Sequence, residues 1–98
     1  MAEKVGALKQ QLDDPDFPHI TYRRGTAGVP TPVVRGTGIR VQTIVIAVKR
    51  WEMTPAEVVA EYDLMQDQVA DALGFYEAHR AEIEAAIADE EALHAEHA

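Results

Sequence analysis

Apolar and polar positions change period several times along the chain, and each change marks an element. Residues 2–12, AEKVGALKQQL, place Val5, Leu8 and Leu12 at helical spacing, and the DDPDFP run with its two prolines ends that helix. In HITYRRG, Ile20 and Tyr22 alternate with polar neighbours at period two, the pattern of a half-buried strand. TAGVPTP reads as a glycine/proline loop and PVVR as a second short strand. Together they predict a hairpin, with residues 39–41 (IRV) extending the small sheet.

VQTIVIAVKRWE fits two periods. Its β-branched content favours a strand. Its apolar residues Val41, Ile44, Val45, Val48 and Trp51 also recur at i, i+3, i+4, i+7 and i+10 of a helix. Helix is the better reading, because TPAE starts another helix at once. There Thr54 is the N-cap, Pro55 takes the first helical position and Glu57 closes a capping box. That helix runs to about Tyr62, with Val58, Val59 and Tyr62 turned inward.

From Gln66 to about His94 there is no proline, and Gly74 is the one glycine, which predicts a single long helix. Val69, Leu73, Tyr76, Arg80, Ile83 and Ile87 follow a heptad-like seam along it. Beyond His79 the stripe narrows to Ile83, Ile87 and at most Leu93 among alanine and glutamate. A stripe so narrow, on a helix leaving a small domain, suits a partner helix. The plain alternative is a solvated Ala/Glu-rich helix.

The expected fold class is therefore mainly α with a small N-terminal β-hairpin. It contains a homeodomain-like, helix-turn-helix three-helix unit with an extended C-terminal helix. Residues 1–18 form an N-terminal helix and linker, 19–79 the hairpin and helix-turn-helix core, and 80–98 the extended acidic helix. A chain of 98 residues has room for one small domain.

Charge sharpens this division. The net charge of −8 hides an asymmetry. Residues 17–51 carry Arg23, Arg24, Arg35, Arg40, Lys49 and Arg50 with no acid, whereas residues 52–98 carry thirteen acids against Arg80 alone. Such a split points to a nucleic-acid face or to two charged partner surfaces. The longest apolar run, Ile44 to Val48, is far too short to span a bilayer, and the N-terminus lacks the long apolar stretch of a secretory signal. The expectation is a soluble cytoplasmic protein with no membrane partner.

Catalytic chemistry finds little to build on. The chain has no cysteine and no serine, so both common nucleophiles and all thiolate metal sites are excluded. The acids Glu82, Glu84, Asp89, Glu90, Glu91 and Glu96 lie along one helix with no cleft to desolvate them. His94 and His97 have a spacing that could share a metal, but no third ligand is spaced to help. Neither an enzyme, a metal site nor a cofactor is expected.

RGTGIR, residues 35–40, is too short for a phosphate loop ending in Gly-Lys-Ser/Thr and lacks the third glycine of a dinucleotide fingerprint. It reads as a turn out of the second strand, with Gly36 and Gly38 at positive φ and Thr37 or Thr43 helping to cap the next helix. For DNA, the recognition-helix start QDQVADAL offers Gln66 and Gln68 to adenine but carries no cation. Positive charge for phosphates must come from Arg23, Arg24, Arg35, Arg40, Lys49 and Arg50. The competing reading is that these cations pair with the acidic half of the same or a neighbouring subunit.

GVPTPVVRGTGIRVQTIV, then MTPAEVVAEY, then QVADALGFYEAHRAEI, covering about residues 19–84, resembles the domain-of-unknown-function family numbered 433. The pattern it resembles reads Gly-Gly-x-Pro-x-Ile-x-Gly-Thr-Arg-Ile-x-Val, then a helix ending in Gly-Met-Ser/Thr-x-Glu-Glu-Ile, then Tyr-Pro-x-Leu. The chain departs from it at Gly38, where arginine is usual, at Asp63, where proline is usual, and at Met65, where a Ser/Thr cap is usual. Asp63 or an uncapped start must then open the last helix. The resemblance implies a hairpin with a homeodomain-like unit, and a role as a VapB-type antitoxin beside a PIN-like ribonuclease toxin.

The functional expectation is thus the antitoxin of a type II toxin–antitoxin pair, acting as a homodimer or higher oligomer. Tyr76, Arg80, Ile83, Glu84, Ile87 and Glu90 would meet the toxin, and the basic residues with Gln66 and Gln68 would bind operator DNA. A stand-alone helix-turn-helix regulator and a homodimeric interaction scaffold are the alternatives.

Overall fold

The computed structural model describes residues 13–24 and 30–97, with side chains as far as Leu93. The helix expected over residues 2–12 lies outside the described residues. The described residues are mainly helical, with four helices and one antiparallel strand pair. Strand β1 spans Ile20–Arg24 and β2 spans Pro30–Val34, and Tyr22 stands opposite Pro32 and Arg23 opposite Thr31. Ile20 and Val34 face the core at one end of the ladder, where both are buried. The expected extension over residues 39–41 shrinks to one bridge between Val33 and Arg40, because Val41 already starts a helix.

Helix α1 covers Val41–Lys49, α2 Pro55–Tyr62, α3 Gln66–Ala78 and α4 Arg80–His97. The centre of the fold is α1, which packs against β2 and all three other helices. Val41, Ile44, Val45 and Ala47 are 0–1% exposed. Trp51, expected at the end of this stripe, is 64% exposed. The helix ends before it: the N–H groups of Arg50 and Trp51 both donate to the Ile46 carbonyl, and Glu52 turns into the left-handed region at φ 57°. The direction of the Trp51 side chain is set by that turn, and no longer by helical period.

The start of α2 is as the sequence predicts. Thr54 Oγ1 accepts from the Glu57 N–H at 3.1 Å, and Glu57 Oε1 accepts from the Thr54 N–H at 2.8 Å. Asp63 ends α2 in the left-handed conformation (φ 56°, ψ 49°) and does not cap α3. The first turn of α3 is closed from inside the helix, by Gln68 Oε1 accepting from the Met65 N–H at 2.7 Å. This is half of a capping box, with no Ser or Thr required.

The long C-terminal helix of the sequence reading is two helices. The chain breaks at His79, at φ −123° and ψ 41°, and α4 packs back against α1. Ile83 and Ile87 become 1% and 3% exposed members of the domain's own core. A straight helix would carry both into water, and burying each is worth about 1.5–3 kcal/mol. That gain outweighs a break in the hydrogen-bond ladder, although neither proline nor glycine marks the place.

Candidate functional site

The RGTGIR turn joins the sheet to α1. Gly36 supplies a positive φ of 82°, but Gly38 does not adopt one. A Cβ on Gly38 would lie 3.1 Å from Nη1 of Arg23, so this position is bare where a guanidinium from β1 crosses the turn. Thr37 does not cap α1. Its hydroxyl donates to the Val34 carbonyl at 2.9 Å and accepts from the Ile39 N–H at 3.0 Å, fastening the turn to itself. The N-cap of α1 is Arg40, without a side-chain cap bond, and Thr43 donates its backbone N–H to the Arg40 carbonyl.

Around this turn the cations sort into two groups. Arg35 donates from Nε to the Pro18 carbonyl at 3.1 Å and pairs with Asp13. Arg40 lies 3.5 Å from Glu90, and Arg50 pairs with Glu91. The ammonium of Lys49 sits over the Tyr76 ring, 5.6 Å from its centroid. For Arg40 and Arg50, then, pairing with the acidic half occurs within one chain. The side chains of Arg23 and Arg24 are exposed and make no ion pair or hydrogen bond with the described residues. Both open onto a groove of about 540 Å³ shared with Val33, Gly38, Arg40 and, from α4, Leu93. Among the described residues no acidic side chain lines it.

Gln66 and Gln68 are not presented together. Gln68 is committed to the Met65 N–H, while Gln66 borders an apolar groove of about 310 Å³ between α2 and α3, beside Val59, Val69 and Leu73. Of the partner-facing set, Tyr76, Ile83 and Ile87 are buried inside the domain, so no apolar stripe is offered by α4 at these positions. Its break at His79 removes the premise that the helix leaves the core. Tyr76 donates its hydroxyl to Glu84 and accepts from Arg80 Nη1 at 3.3 Å, and Arg80 also pairs with Glu77. The bond to Glu84 raises the Tyr76 phenol above its ordinary range, with desolvation adding to it. Glu90 accepts from Gln42 Nε2 at 2.5 Å, which tethers it beside Arg40.

Sequence reasoning missed an aromatic cluster that holds the hairpin on α3. Phe75, fully buried, meets Phe17 edge-on at 5.7 Å, Tyr22 edge-on at 6.1 Å and His79 face-on at 4.1 Å. Gly74 makes room for Phe17, whose ring edge would be 2.9 Å from a Cβ there. Tyr22 donates to Glu82 on α4, and burial followed by that carboxylate holds its phenol well above the ordinary tyrosine range. The side chains of His94 and His97 lie outside the described residues. Among the described residues no cluster of three metal-ligating side chains occurs.

Residues 30–76 match the family model described as Protein of unknown function (DUF433). No curated protein and no solved structure matches the chain. The DUF433 segment runs from the start of β2 into α3, and so contains the RGTGIR turn, α1 and α2. It excludes β1, with Arg23 and Arg24, and the whole of α4. The groove therefore combines Val33, Gly38 and Arg40 inside the matched segment with Arg23, Arg24 and Leu93 outside it. Among the described residues no helix is long and apolar enough to cross a membrane.

Proposed function

We propose that the chain is the antitoxin of a type II toxin–antitoxin pair, a non-enzymatic binding module that holds a PIN-like ribonuclease toxin and contributes to operator DNA binding. The observation that carries this reading is the sorting of exposed charge on one small body. Cations gather at the hairpin end and carboxylates along α4, where Glu82, Glu84, Asp89 and Glu91 are exposed. A row of carboxylates at helical spacing presents the charge of a polyanion and suits the cationic RNA groove of a ribonuclease. Because Ile83 and Ile87 are buried, the toxin would meet the solvent side of α4, by charge more than by apolar contact. The α2–α3 pair, joined by Asp63–Met65, then serves as the helix-turn-helix, and a second copy completes a homodimer on DNA.

The test is co-expression with the neighbouring gene's product, a pull-down through a tag on this chain, and a ribonuclease assay of what is recovered. A stable complex with suppressed activity, weakened at least tenfold by Glu84→Lys with Asp89→Lys, supports the reading. A captured ribonuclease that stays fully active, or no capture, sinks it.

The exposure of Arg23 and Arg24 favours a second reading, a stand-alone DNA-binding regulator. It expects no partner in the pull-down and strongly salt-dependent binding to the chain's own promoter.

A further inference from the structure

We infer that the groove between the end of the hairpin and the RGTGIR turn binds the phosphodiester backbone of nucleic acid, and that Glu90 is an internal competitor for one of its three arginines. This rests on the DNA-binding part of the reading above and adds its site and its regulation.

Arg23 and Arg24 enter the groove from β1 and Arg40 from the start of α1, with no acid among the described lining residues. Guanidinium forks match the paired oxygens of a phosphate and stay charged at every working pH. The absence of a side chain on Gly38 leaves backbone at the edge of the groove where Arg23 crosses it. The trough is open and larger than a single phosphate requires, and its apolar flanks, Val33 and Leu93, offer contact area for sugars. An extended chain of phosphates fits this better than an isolated anion. Contacts to phosphate fix position and carry no sequence information, so binding through this groove is expected to be indifferent to sequence.

Arg40 is the one arginine of the three with a carboxylate at hand, 3.5 Å away. Gln42 anchors that carboxylate. A phosphate entering the groove must draw Arg40 from Glu90, which makes the α4 carboxylate a brake on affinity. A protein partner that engages α4 at Glu90 would release the brake, coupling the two surfaces.

The experiment measures anisotropy of a labelled promoter duplex and of an unrelated duplex, against salt, with the full chain and four variants. Wild type is expected to bind both duplexes with a log–log salt slope near −3, about three phosphate contacts at ~0.9 each. Arg23→Ala/Arg24→Ala lowers affinity at least tenfold and flattens the slope by about two contacts. Glu90→Gln tightens binding several-fold, and that gain disappears in Arg40→Ala/Glu90→Gln. Arg50→Ala, whose partner is Glu91 and which lies outside the groove, changes little. All the arginines altered are exposed, and unchanged melting curves confirm that the variants fold.

Duplex binding that is unaltered in Arg23→Ala/Arg24→Ala overturns the groove while leaving DNA binding by another face. Failure of wild type and Glu90→Gln to bind either duplex at low salt overturns both the groove and the DNA-binding reading. Saturation by millimolar inorganic phosphate without duplex binding overturns the phosphodiester assignment. An unchanged affinity in Glu90→Gln overturns the brake.

Discussion

The imidazole of His79 lies flat on the ring of Phe75, with centroids 4.1 Å apart and planes 19° from parallel. Its two nitrogens face carboxylates on either side, Asp14 at 3.1 Å from Nε2 and Glu82 at 3.6 Å from Nδ1. This side chain sits at the break between α3 and α4 and ties the segment before β1 to the start of α4. His79→Ala is expected to lower stability by about 1 kcal/mol or more, the range of a lost aromatic pair. Phe75, left partly uncovered, would add to that. Chemical denaturation measures it, and an unchanged midpoint would show that the stack does not hold the break.

Packing of α4 onto α1 makes a larger claim. Ile83→Ala and Ile87→Ala should each cost about 2–5 kcal/mol, as deletions in a core do. If α4 were an excursion from the domain, both would melt like wild type and lose only partner binding.

Glu52 holds a left-handed conformation at φ 57° without the freedom of glycine. Glu52→Gly should stabilise by roughly 1 kcal/mol, a rise in Tm of about 4–8 °C for a domain of this size. Glu52→Ala, which keeps the Cβ, should not. A calorimetric comparison of the two separates backbone strain from loss of charge.

Acid should loosen the strap before β1. Asp13 is held below the ordinary carboxylate range, first by the Thr21 hydroxyl and then by Arg35. Asp14 is held down first by the Asp16 N–H and then by His79. Since the folded state depresses both, their contribution is complete above about pH 4 and fades as pH falls through the lowered values. The Asp13→Asn/Asp14→Asn variant should be less stable near neutrality and lose less on acidification, as followed by thermal melts against pH. A parallel fall in both proteins would remove these carboxylates from the acid limb.

Base acts through Tyr22. Burial and Glu82 disfavour its phenolate in the folded state, so the unfolded chain ionises first, near pH 10. Stability should therefore drop as pH rises beyond about 10, and Tyr22→Phe should blunt that drop. Ultraviolet titration reads the same event, with the Tyr22 phenolate forming only as the chain unfolds. Its free ionisation in the folded protein would refute the burial argument.

Local signals in the sequence carried as far as local chemistry reaches. The capping box of Thr54 and Glu57, the α1 stripe through Val41, Ile44 and Val45, and the alternation of Ile20 and Tyr22 are each decided within a few residues, and each stands in the fold. The charge asymmetry was equally plain from composition. Tertiary structure alone decided what lies across the chain. A continuous helical pattern from Gln66 onward says nothing of a break at His79, because the break follows from burying Ile83 and Ile87 on α1. Trp51 keeps the period of a helix that has already ended at Lys49. Which arginines remain open is likewise a matter of distance between remote segments. Glu90 and Glu91 come round to Arg40 and Arg50, and no carboxylate among the described residues pairs with Arg23 or Arg24. Periodicity reports the face a residue would present on an ideal element, whereas apolar burial and charge pairing over the whole fold determine where that element stops and what its face meets.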